Sequence, residues 1–142
     1  MRKLLVPIDS SDNALRALQH AIRLAKEAKS LELHIVNAHE PPFVYGEIAV
    51  YMTEEKARAL QRRHSEDILR PAIEMAKKAE VPFKTDILIG DVAKALVEYA
   101  EQQGCEAIVM GTRGMGAIGN LVMGSVATKV IHLTKLPVTL VK

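Results

Sequence analysis

Five of the eight glycines lie between Gly111 and Gly124, in the run Gly111-Thr112-Arg113-Gly114-Met115-Gly116-Ala117-Ile118-Gly119-Asn120-Leu121-Val122-Met123-Gly124-Ser125. Residues of this kind do their chemistry through the backbone. Without a Cβ, successive N–H groups can turn toward an anion and approach it closely. The run follows a short apolar stretch and leads into a helical pattern at Ser125, whose free amides and positive dipole end suit a negative ligand. The Ser125 hydroxyl can donate to a phosphate oxygen or ligate a metal. A merely flexible connector is the plainer reading of a single Gly-x-Gly, but this density between strand and helix favours a phosphate cradle. It is not a Walker loop, since no lysine follows Gly124 directly. Nor is it the dinucleotide fingerprint, which belongs to the first βα turn, where this chain has Asp9-Ser10-Ser11.

Other reactive side chains point to less. The five histidines show no metal-ligand spacing. His34 and His39 fall on opposite faces of one strand, and His20, His64 and His132 lie on helical patterns, so surface or internally satisfied histidines are expected. Only His39-Glu40 lies near enough to the glycine loop's end of the sheet to touch a ligand. Cys105 is the sole cysteine, which rules out an internal disulfide and a thiolate zinc site; a packed, quiet thiol is expected. Asp9, Asp91 and Thr112 lie at the ends of the first, third and fourth strands, loosely in the manner of phosphoacceptor receiver domains. That scheme needs a lysine just after the last strand, whereas Lys135 precedes it, and it has no place for a long glycine loop.

Positioning the loop requires a sheet. Runs rich in Val, Ile and Leu alternate with segments of helical period, which predicts βαβ units and a mostly parallel sheet covered on both faces. Strands are predicted over residues 3–8, 31–38, 83–89, 107–110 and 138–141. The first helix opens at a Ser10 or Ser11 cap and carries the apolar stripe Ala14, Leu15, Leu18, Ala21, Ile22 and Ala25. A second opens at Thr53 and runs to about Ala79, with Pro71 expected to kink or interrupt it. A third runs from Gly90-Asp91 to Gly104, a C-terminal cap glycine, and the last covers about residues 125–133. Residues 41–52, with two prolines and three of the five aromatics, read as a lid or a partner surface. The whole chain of 142 residues is read as one domain, long enough for its own core.

Charge is balanced, 19 basic against 17 acidic residues, so nucleic acid is not expected as a partner. The apolar run near the N-terminus is broken by Pro7 and Asp9 and is too short for a signal peptide or a span. No membrane partner and a cytoplasmic location are expected.

The spacing Gly111-x2-Gly114-x9-Gly124-Ser125 resembles the ATP-binding branch of the universal stress protein family. Val6-Pro7-Ile8-Asp9-Ser10, Ile108-Val109-Met110-Gly111 and Pro137-Val138-Thr139-Leu140-Val141 carry the likeness along the chain. The resemblance implies a three-layer α/β/α, Rossmann-like sandwich on a five-stranded parallel sheet of order 3-2-1-4-5, the adenine nucleotide alpha-hydrolase-like arrangement. It sets Asp9 beside the glycine loop at the switch point where such sheets bind ligands. By position it implies Pro7, Ile8 and Asp9 along the adenosine, with Asp9 reaching the ribose or, through water, a metal. Ala38 would meet the adenine edge, and Met110 and Gly111 would flank the ribose. Arg113, Gly114, Gly124, Ser125 and Val126 would hold the phosphates, with Arg113 at a position where the family varies. It also implies a homodimer through antiparallel pairing of the last strand, Val138–Val141.

Arg113 is the only cation within the loop, so Mg²⁺ or Mn²⁺ is expected to accompany ATP, held by phosphate oxygens and water. With no arginine finger or water-orienting glutamine near the expected γ-phosphate, a regulatory protein with slow ATP turnover is expected. The alternatives are a true ATPase or nucleotidyl transferase, and an interaction module that does not use nucleotide. Adenylating relatives carry a Ser-Gly-Gly-type loop after the first strand, which this chain lacks.

Overall fold

The alternation of apolar runs and helical stripes resolves into strands and helices in turn. The computed structural model describes residues 1–42, 51–113 and 123–142. In order these contain β1 (Arg2–Pro7), α1 (Asp12–Glu27), β2 (Leu31–His39), α2 (Glu54–Ala79), β3 (Phe83–Ile89), α3 (Val92–Gln103), β4 (Ala107–Gly111), α4 (Ser125–Leu133) and β5 (Val138–Val141). The five strands form one sheet in the order β3-β2-β1-β4-β5, and every pairing is parallel.

Strand alternation splits the core in two. Leu4, Val6, Leu33, Ile35 and Val109 face α1 and α2, while Leu5, Val36, Ile108 and Met110 face α3 and α4. The central strands are apolar on both sides because both sides are covered. Leu5, Val6, Leu33, Ile35 and Ile108 are all fully buried, each contributing on the order of 1.5–3 kcal/mol.

Three helices start where the sequence places a cap. Ser11, Thr53 and Asp91 each accept a hydrogen bond from the amide three residues on, at 3.1 Å in every case. α3 ends at Gly104, whose φ of 72° is the left-handed conformation of a terminal glycine. α2 runs through Pro71 without the interruption that is one of the two outcomes expected there. Pro71 is exposed, so its missing N–H falls on the solvent side. The buried face of Leu69, Ala72 and Ala76 continues past it, outweighing a local cost of roughly 3 kcal/mol.

The order of the strands fixes the site. The chain leaves β1 toward β2 on one side and reaches β4 on the other, so connections diverge at the carboxyl ends of β1 and β4. Crevices of parallel sheets open at such a divergence.

Candidate nucleotide site

Asp9 lies two residues past the end of β1 and is half-buried. Its Oδ1 accepts the Ser11 amide at 2.8 Å and also the Ser11 hydroxyl. Ser11 in turn caps α1, so one serine both starts the helix and aims the carboxylate. The residue before it is equally fixed. The Ile8 amide donates to the Val36 carbonyl at 2.7 Å, and its carbonyl accepts from Asn37 Nδ2 at 2.8 Å. Asn37 is buried, and its Oδ1 has no partner among the described residues. Ala38, half-buried, is next along β2.

Across the divergence β4 ends at buried Met110 and at Gly111. The Thr112 amide donates to the Val141 carbonyl at 2.9 Å, and the Gly124 amide donates to the Thr112 carbonyl at 2.6 Å. The glycine-rich segment therefore leaves and rejoins the body at one hydrogen-bonded neck. Gly124 is the N-cap of α4, and among the described residues no side chain caps that helix. Its first-turn amides, beginning with Ser125 and Val126, have no partner within the helix. Ser125 is exposed and Val126 half-buried. Gly114 lies outside the described residues.

Two backbone donors expected at the phosphates are already engaged. The Gly124 N–H is spent on Thr112, and the Arg113 N–H donates to Asn13 Oδ1 at 2.8 Å. Arg113 would then act through its guanidinium, which its exposure allows. Pro7, Ile8, Asp9, Met110, Gly111, Arg113, Gly124, Ser125 and Val126 nonetheless meet at one end of neighbouring elements, with Ala38 one strand away. Sequence reasoning missed Asn13 and Asn37. Asn13 carried a readable signal, being a polar residue on the buried stripe of α1 with Ala17 and Ala21.

His34, Tyr99 and Cys105 are internal. His34 is fully buried, with Nδ1 2.9 Å from Tyr99 Oη and Nε2 2.9 Å from Glu32 Oε1. A carboxylate only accepts, so Nε2 donates to Glu32, and in the neutral ring Nδ1 then accepts from the phenol. Burial, with Asp86, Cys105 and Glu32 adding to it, pushes the Tyr99 phenol up to about 12. Burial likewise pushes the Cys105 thiol up to about 11, which suppresses the nucleophilic thiolate. His39 Nδ1 bonds its neighbour's carbonyl at 2.9 Å and its Nε2 is unpartnered among the described residues. Of residues 41–52, numbers 43–50, including Tyr45, lie outside the described residues, and Tyr51 is exposed. Among the described residues no three His, Cys, Asp or Glu side chains converge on a metal position, and no helix is long and apolar enough to cross a membrane.

Comparison with known proteins bears on the family and the fold. The model of the universal stress protein family matches residues 1–142. The universal stress protein MJ0531 of Methanocaldococcus jannaschii is 34% identical over 143 residues, covering 99% of this chain and 82% of the relative. The solved structure of MJ0577, from the same organism, superposes with a TM-score of 0.85 at 26% identity, covering 99% of this chain and 95% of that one. A universal stress protein solved in complex with cAMP superposes with a TM-score of 0.69 at 27% identity, covering 99% and 96%.

Proposed function

Since this chain belongs to the universal stress protein family, we propose that it is an ATP-binding regulatory protein that holds its nucleotide where β1 and β4 diverge. The observation that carries this reading is the neck at Thr112 and Gly124, which delivers the glycine-rich segment to the start of α4, where the N-cap is a glycine with no capping side chain of its own. A helix start without a side-chain cap leaves amides for an anion. The relative solved with cAMP supports an adenine nucleotide as the ligand.

In this reading Pro7, Ile8 and the aimed Asp9 line the adenosine, the Ala38 backbone meets the base, and Met110 and Gly111 flank the ribose. Ser125 and Val126 offer amides to the phosphates, joined by Gly114 and the Arg113 guanidinium. Gly124 forms the turn rather than donating. A carboxylate and a hydroxyl, Asp9 and Ser125, are oxygen donors of the kind Mg²⁺ or Mn²⁺ accepts alongside phosphates and water. The cation would supply charge neutralisation for the triphosphate.

The protein is a holder of ATP rather than a consumer of it. Asp9 is bound to Ser11 on the adenosine side, and neither an arginine finger nor a water-orienting glutamine is evident in the sequence around the loop. We place it in the cytoplasm, acting as a homodimer through β5. Steady-state phosphate release tests the regulatory reading. Turnover far below roughly 1 s⁻¹ is expected, and a rate at or above that ordinary enzyme range would make the protein an ATPase instead.

A further inference from the structure

One side chain outside the glycine motif meets the start of the glycine-rich segment and the end of the edge strand. Asn13 is 8% exposed, in the first turn of α1. Its Nδ2 donates to the Val141 carbonyl at 2.9 Å, and its Oδ1 accepts the Arg113 amide at 2.8 Å. The two partners leave no ambiguity in the amide's orientation, because an N–H can only donate and a carbonyl can only accept. Asn13 thus ties the helix that follows β1 to the first residues of the glycine loop and to the end of the edge strand.

The same side chain fills the space beside Gly111. A Cβ on Gly111 would lie 2.2 Å from Asn13 Oδ1 and 2.8 Å from its Cγ. Real Cβ atoms do not approach so closely, and both Asn13 atoms are held by the hydrogen bonds just described. We propose that Asn13 is the positioning residue of the nucleotide loop, and that the motif's first glycine is required by Asn13 rather than by the ligand. This inference rests on the loop being the nucleotide site. It assigns the glycine a partner within the protein, and it makes the end of β5 share an anchor with the loop.

Three substitutions separate this from a requirement set by the ligand. Gly111→Ala should lower the Tm sharply in the native background and much less in the Asn13→Ala background, so the unfolding costs are strongly non-additive. Asn13→Ala should release the Arg113 amide to fast hydrogen exchange in the folded protein. Asn13→Asp, which keeps an acceptor but loses the donor to Val141, should leave that amide protected. ATP affinity should fall about tenfold in Asn13→Ala at temperatures where the variant is fully folded, the equivalent of one charge-free hydrogen bond. Additive unfolding costs, or an Arg113 amide that exchanges equally fast with and without Asn13, would overturn the inference. Because the unfolding cycle needs no ligand, a failure of the native chain to bind ATP is distinguishable. That result would contradict the nucleotide reading of the loop, and with it the positioning role, while leaving the Asn13–Gly111 packing measured.

Discussion

The amide of Gly124 donates to the carbonyl of Thr112 across 2.6 Å, so two residues twelve apart in sequence close the base of the glycine-rich segment. The φ of Gly124 is −76°, a value open to any residue and close to that of proline. Gly124→Pro therefore deletes the donor with little backbone conflict at that residue, while Gly124→Ala keeps it. Net loss of one such bond is worth about 0.5–1.5 kcal/mol. ATP affinity is expected to fall up to roughly tenfold in the proline variant and to fall less in the alanine variant. Calorimetric titration checks this, and equal affinities would show that the neck does not shape the site.

Cation dependence follows from the charges present. Asp9 adds a negative charge to that of the triphosphate, and Arg113 is the one cation in the sequence between Gly111 and Ser125. Titration with ATP in EDTA should give markedly weaker binding than in Mg²⁺, and Asp9→Asn should shrink the difference between the two. Affinity that ignores EDTA would mean that protein groups alone neutralise the phosphates.

Alkaline pH should loosen the α3 face of the sheet. Tyr99 and Cys105 both have folded values above their ordinary ones, about 12 and about 11. A raised acid of this kind favours the neutral form in the fold. Its contribution is complete below the unfolded value and is lost as pH rises through the folded one. Urea midpoints should therefore hold through neutral pH and fall from about pH 9 to about pH 12. Tyr99→Phe should cost about 1–3 kcal/mol at neutral pH by leaving buried His34 Nδ1 without its donor. A Phe variant as stable as the native chain would remove the phenol from that role.

The edge strand can be tested at a chosen atom. Ile108 and Thr112 donate to the carbonyls of Pro137 and Val141, so by strand alternation the amides of Val138 and Leu140 point away from β4. Val138 is the first residue of β5, where proline is tolerated. Val138→Pro should leave the domain folded and shift light scattering from dimer to monomer. Persistent dimers would place the interface elsewhere.

Much of this was legible in the sequence because periodicity and caps are local. The strand of β3 and the helix α4 fall where their apolar patterns and flanking residues put them, and Gly104 stops α3 as its type suggests. Pro71 does not interrupt α2, because the buried stripe running past it holds the helix together. Asn13 was passed over because its meaning lies in Arg113 and Val141, about a hundred residues or more away in sequence, and no local pattern shows such a pairing. The spent amides of Gly124 and Arg113 are likewise products of tertiary contact. In the proposed site they would leave the phosphates to Ser125 and Val126.

The central claim is that this chain carries an adenine nucleotide. Mass spectrometry of small molecules released by heat from freshly purified protein measures it most directly, paired with ATP titration of the stripped chain. The account predicts an adenine nucleotide approaching one per chain, or saturable ATP binding once the site is emptied. Protein that releases no nucleotide and gives no heat with ATP would contradict it, and would leave a fold of this family serving as an interaction module alone.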